Sequence, residues 1–144
     1  MAVTMAEITK LRNLTSAGLM DCKKALAETD GDIEAAVEIL RKKGQAVAAK
    51  REDRQASEGC VIARNDGSFA AILALNCETD FVAKNAGFVA LANKLMDLAM
   101  TNKFKTVEEL KAFTVDGLTV ADLITEESGK TGEKTEISAY EWLE

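Results

Sequence analysis

Histidine is missing from this sequence altogether. The side chain most used for proton transfer near neutral pH, for activating nucleophiles and for holding catalytic zinc therefore plays no part in it. That weakens the case for bond chemistry, and the expectation is a protein that is not an enzyme. Proline is absent too, and cysteine is scarce. The three cysteines, Cys22, Cys60 and Cys77, are an odd number with no C-x-x-C spacing, which argues against a disulfide framework and against a zinc site. They are expected to be reduced and mostly buried. No run of about 18 or more apolar residues is present to span a bilayer, and the first residues lack the basic and apolar regions of a signal peptide. Both points favour a cytoplasmic protein without a membrane partner. Neither G-x-x-x-x-G-K-[ST] nor G-x-G-x-x-G occurs, so the chain does not look like a nucleotide binder, and no cofactor is indicated.

What is present is a 144-residue chain with 47% hydrophobic residues and a formal net charge of -6. The length suits one ordinary core, or a small domain joined to a modest one. A net negative charge argues against direct binding to nucleic acid, whose affinity rests on neutralising phosphates. The charge is unevenly spread: residues 105–144 hold ten acids and four bases, which accounts for all of it, while residues 1–104 carry fourteen of each. A basic stretch from Arg41-Lys42-Lys43 through Lys50-Arg51 to Arg54 lies in the neutral part. It reads first as a solvated helix face, with contact to an acidic or phosphate-bearing partner as the alternative.

The first 44 residues read as three short helices. Thr4-Met5-Ala6-Glu7 has capping-box spacing and starts a helix over about 5–13, with Ile8 and Leu11 facing inward. After the Thr15-Ser16-Ala17-Gly18 break, a second helix over about 18–28 places Leu19, Cys22 and Leu26 on one side. Asp32 caps a third helix in which Ile33, Ala36, Val37 and Leu40 repeat at i, i+3, i+4 and i+7, and Gly44 suits its end. Residues 1–44 are thus expected to form a small recognition domain, and 45–57, rich in alanine and charge, a helical linker.

From Glu58 onward the pattern changes. Cys60 to Arg64 and Ser68 to Cys77 are β-leaning runs separated by Asn65-Asp66-Gly67, a short hairpin signal. Phe69, Ala71, Leu73 and Leu75 share one face, while Ile72 and Ala74 make the other apolar as well, so part of each face needs cover. The next helix, over about 86–102, offers Phe88, Leu91, Ala92, Leu95, Leu98 and Ala99 as a stripe for that purpose. Further helices are expected near Thr106-Val107-Glu108-Glu109 and over Thr119 to Glu127, followed by a loop from Gly129 to Gly132. Lys134 to Leu143 reads as a last strand, with Ile137, Ala139 and Glu141 on one face and Tyr140 and Trp142 on the other. The chain stopping at that strand suggests a fragment, because a strand needs neighbours. The expected class is α+β: a three-helix bundle, then a small antiparallel sheet packed with helices over 58–144.

Two stretches are candidates for function. Asn76-Cys77-Glu78-Thr79-Asp80-Phe81-Val82 leaves a buried strand with an aromatic between a carboxylate and a valine. Spacing alone reads Phe81 as a core residue, and Glu78 with Asp80 as solvated turn carboxylates rather than half of a magnesium site. Cys77 is a poor nucleophile candidate, with no histidine to activate it and only Lys84 nearby to lower its pKa. The second stretch is Ala17-Gly18-Leu19-Met20-Asp21-Cys22-Lys23-Lys24, where a glycine opens a helix and a flexible Met20 sits beside Lys23. It reads as the surface of a three-helix bundle or as a surface that fits another protein.

At these same two stretches the sequence resembles the elongation factor Ts family. Thr15 to Leu26 followed by Asp30-Gly31-Asp32-Ile33-Glu34 is similar to that family's N-terminal signature, and Asn76 to Lys84 is similar to its core signature. The resemblance implies that residues 1–44 form a ubiquitin-associated-like domain, docking on the GTPase domain of elongation factor Tu. It assigns Leu19, Met20, Cys22, Lys23, Thr79, Asp80, Phe81 and Val82 to that contact. It also places Asp80 and Phe81 on an exposed tip that enters the partner beside its nucleotide and magnesium, opposite to what spacing gives for Phe81. The implied activity is guanine-nucleotide exchange in translation elongation. A free-standing interaction module without exchange activity is the alternative.

Overall fold

The computed structural model describes residues 2–15 and 17–144. Met1, and Ser16 in the break after the first helix, lie outside the described residues. Helix α1 (Met5–Thr15) begins where Thr4 Oγ1 accepts from Glu7 N at 3.2 Å, and α2 (Leu19–Glu28) follows Gly18. Asp32 caps α3 (Ile33–Lys50) by accepting from Ala35 N at 3.1 Å, a bond typically worth about 1 kcal/mol. Ile8, Leu11, Cys22, Ala25, Leu26 and Ala36 close a first, small core between the three.

The expected stop at Gly44 is not there: α3 runs on to Lys50 before a short turn. Gly44 is buried in the middle of that helix, against α7 (Val120–Thr131). A glycine reads as a helix end when only its backbone freedom is considered, but here the missing side chain serves a close crossing of two helices. The same contact explains a second difference, since Gly129, expected in a loop, lies inside α7. The basic stretch is largely engaged within the protein. Arg41 pairs with Glu38 and Glu126, Lys43 with Asp21, and Arg51 and Arg54 with Glu78.

Strands β1 (Glu58–Asn65) and β2 (Ala70–Cys77) form the expected antiparallel hairpin. Its turn is fixed by the Asp66 carboxylate, which accepts from Ser68 N, Phe69 N and the Ser68 hydroxyl. Those bonds favour the charged form and lower its pKa. Beyond the four-residue α4 (Asp80–Ala83) and α5 (Ala86–Asn102) come α6 (Val107–Ala112) and a two-residue hairpin, β3 (Thr114–Val115) and β4 (Leu118–Thr119). The sequence pattern does not predict that hairpin. Thr106 and Thr119 cap α6 and α7 as the spacing predicts, the latter with a full capping box to Asp122.

Strand β5 (Glu136–Leu143) pairs antiparallel with β2, giving the order β1-β2-β5. Its faces differ from a simple alternation. A register shift sets Leu75 opposite Ile137 and Ala74 opposite Ala139, so Ser138 is a bulge. One extra residue moves every side chain before it to the opposite face. Ile137 therefore joins Tyr140 and Trp142 on the inner face rather than Ala139 and Glu141.

The inner face meets α5, whose Phe88, Ala92, Leu95, Met96 and Ala99 are buried with Phe69, Leu73, Leu75 and Cys77 of the hairpin. Helix α5 covers that face only. On the outer face Val61 and Ile72 are exposed, as is Leu143. The result is the α+β class that the pattern predicts. Among the described residues no helix is long and apolar enough to cross a membrane.

Candidate functional site

Strand β2 ends at Cys77, which is fully buried. Burial pushes its thiol up to about 11, so it is protonated and inert at neutral pH. The next residues must turn sharply, and Thr79 makes the turn by capping α4, its hydroxyl oxygen accepting from Val82 N at 3.4 Å. Within α4, Val82 and Ala83 pack against the main core. Their neighbours on the other side of the turn, Asp80 and Phe81, are exposed, Phe81 to 84%. Lys84 lies 4.0 Å from Asp80. Asn85 then caps α5 by accepting from Gly87 N and Phe88 N.

Phe81 is thus the most exposed large apolar side chain among the described residues. Phe81 is therefore not the core residue that spacing alone predicts. A strand-to-strand pattern carries past Cys77 only if the strand does, and the one-turn helix rotates the ring outward.

Glu78 does not face Asp80. It is nearly buried, with Arg51 Nε at 3.1 Å and Arg54 Nε at 3.5 Å, and it accepts from Lys134 N at 2.9 Å. Glu133 reaches the same turn, accepting from Glu78 N at 3.0 Å, Thr79 N at 2.9 Å and the Thr79 hydroxyl at 2.7 Å. Sequence spacing gives no warning of these contacts, because the Arg51 and Glu133 partners lie 27 and 54 residues away from the positions they hold. Among the described residues no group of three or more acidic or cysteine side chains could hold a metal ion.

On α2, Leu19 is 43% and Met20 70% exposed, and Lys23 is exposed as well. Cys22 is fully buried in the small core. It lies beneath the surface that Leu19, Met20 and Lys23 present, on the inner side of the same helix. Thr79 and Val82 are half-buried, so of the four residues assigned at the strand exit only Asp80 and Phe81 are fully presented.

A family profile described as Elongation factor TS matches residues 78–144. The chain is 63% identical over 144 residues to "Elongation factor Ts" of Phocaeicola vulgatus, covering all of this chain and 44% of that protein. The chain belongs to the elongation factor Ts family. "Elongation factor Ts" of Parabacteroides distasonis is 61% identical over 140 residues, with 97% of this chain and 43% of the relative covered. The same-named protein of Azobacteroides pseudotrichonymphae is 49% identical over 144 residues, covering all of this chain and 53% of the relative. The chain therefore spans about half or less of the length of these elongation factor Ts relatives, and the alignment with them includes both the α2 surface and the Phe81 turn.

Proposed function

We propose that this protein acts in translation elongation as a guanine-nucleotide exchange factor, binding elongation factor Tu·GDP and speeding release of GDP. The observation that carries this reading is the presentation of Phe81: a large apolar ring held 84% exposed on a turn anchored on both sides, in a chain of the elongation factor Ts family. Exposed aromatic rings on rigid supports are characteristic anchors for a partner's pocket. Leu19, Met20 and Lys23 on α2 supply a second contact, to the GTPase domain. Asp80 and Phe81 enter near the magnesium and nucleotide.

No bond is made or broken. If the factor and Mg·GDP require different shapes of one region of the partner, each weakens the other's affinity by the same factor, and no energy source is needed. Burying a phenylalanine is worth about 1.5–3 kcal/mol, which corresponds to roughly one to two powers of ten in differential affinity. The wider interface supplies the remainder. Such a role places the protein in the cytoplasm, working with a protein partner and no cofactor. The deciding experiment loads elongation factor Tu with fluorescent GDP and measures the release rate with and without this chain. Acceleration is expected, and an unchanged rate would leave only an interaction module without exchange activity.

A further inference from the structure

We propose that Glu133 is the positioning residue of the Phe81 tip, and that with Glu78 it forms a reciprocal clasp without which the ring is exposed but not aimed. The inference rests on the exchange reading above. Three features support it, all outside the tip itself.

First, one carboxylate takes up every donor of a two-residue stretch. Glu133 Oε1 accepts from both Glu78 N and Thr79 N, and its Oε2 accepts from the Thr79 hydroxyl. Charge-assisted bonds of this kind are short and directional, and three on two residues fix both position and orientation. Second, the Thr79 hydroxyl is the link to the tip. The same oxygen that donates to Glu133 accepts from Val82 N and so starts the four-residue α4. A single turn has little stability of its own, so its existence depends on that cap. Third, the grip is returned. Glu78 accepts from Lys134 N, the residue next to Glu133, and holds Arg51 and Arg54 from the end of α3.

Local geometry aims Glu133. Helix α7 ends at Thr131, and Gly132 adopts a φ of +77°, a conformation that side-chain-bearing residues rarely take. The chain reverses there, and Glu133 N bonds back to the Thr131 hydroxyl at 3.2 Å. The outcome is a carboxylate carried on the end of a packed helix, directed at the strand exit rather than at solvent. Phe81 has almost no packing to fix its direction, so its aim is inherited from this scaffold.

The test uses the whole chain with Glu133→Ala, the near-isosteric Glu133→Gln, Phe81→Ala and the double variant Glu133→Ala/Phe81→Ala. At saturating factor, Glu133→Ala is expected to slow stimulated GDP release by about tenfold or more, with Glu133→Gln between it and the unaltered protein. The double variant is expected to be no slower than Phe81→Ala alone, because a positioning residue has nothing to position once the ring is gone. Full additivity, or an unchanged rate for Glu133→Ala beside an active unaltered chain, overturns the proposal. A merely structural role predicts additivity. If the unaltered chain does not accelerate release at all, it is the exchange reading that fails, and amide hydrogen exchange then decides on the clasp. Glu133→Ala and Glu133→Gln should speed exchange at Glu78 N and Thr79 N by about tenfold or more, with α5 unaffected. Unchanged exchange at those two amides overturns it.

Discussion

Gly44 of α3 and Gly129 of α7 touch backbone to backbone: a Cβ placed on Gly129 would lie 2.5 Å from the Gly44 Cα. No flexible side-chain end is there to yield. Gly129→Ala must therefore push α3 and α7 apart. The cost is expected to be about 1–3 kcal/mol of overpacking, set against a gain of up to about 1 kcal/mol in helix propensity, so the protein should lose stability in urea unfolding. Gly44→Ala makes the contrast, because its Cβ would meet Thr125 O at 3.4 Å, an ordinary contact. It should be neutral or slightly stabilising. Unchanged stability in Gly129→Ala would show that the two helices cross less closely than this.

Phe81→Ala removes a side chain that makes almost no contact within the protein. Unfolding midpoints should therefore be unchanged within about 0.5 kcal/mol, while stimulated GDP release falls by roughly ten- to a hundredfold. A large loss of stability in this variant would mean that the ring packs inward. Retained exchange would refute its role in the partner.

Most of the fold was legible in the sequence because its elements are marked by local chemistry. Thr4, Asp32, Thr106 and Thr119 each stand where a helix begins, and Asn65-Asp66-Gly67 sits where the hairpin turns. What the pattern missed depends on contacts between distant residues. Gly44 reads as a helix end and Gly129 as part of a loop because their shared crossing joins residues 85 apart in the chain. The bulge at Ser138 is invisible to an alternation count, yet it decides which way Ile137 faces. At the site, spacing failed on Phe81 because a four-residue helix breaks the strand's period. The family resemblance supplied its exposure. Neither could reveal Glu133, whose bonds join the ends of β2 and α7.

Thiol reactivity should follow burial. Cys22 and Cys77 are fully buried, and desolvation raises both thiols, Cys77 to about 11. Cys60 is only half-buried on β1. A thiol reagent applied to the native protein is expected to modify Cys60 alone, with Cys22 and Cys77 reacting only on unfolding. Prompt modification of Cys77 in the native state would show that the strand exit opens, and with it the anchor of the Phe81 turn.

Glu127 gives the protein a predictable response to pH. It is 7% exposed, and its Oε1 has no hydrogen-bond partner. Burial raises its pKa, only partly offset by the nearby Lys130. Its α7 neighbour Glu126 is raised for the same reason, with Arg41 opposing. A carboxyl whose folded pKa lies above its unfolded one holds its proton longer in the native state. Between those two values the native state binds more protons, so stability falls as pH rises through that window and stays lower beyond it. Glu127→Gln keeps the shape and removes the titration. Its stability should match that of the unaltered protein at acidic pH, below both pKa values, and exceed it near neutrality, with a flatter slope from urea unfolding measured across the carboxylate range. Equal slopes in the two proteins would mean that Glu127 is solvated in the native state, and that this face of α7 is more open than its burial indicates.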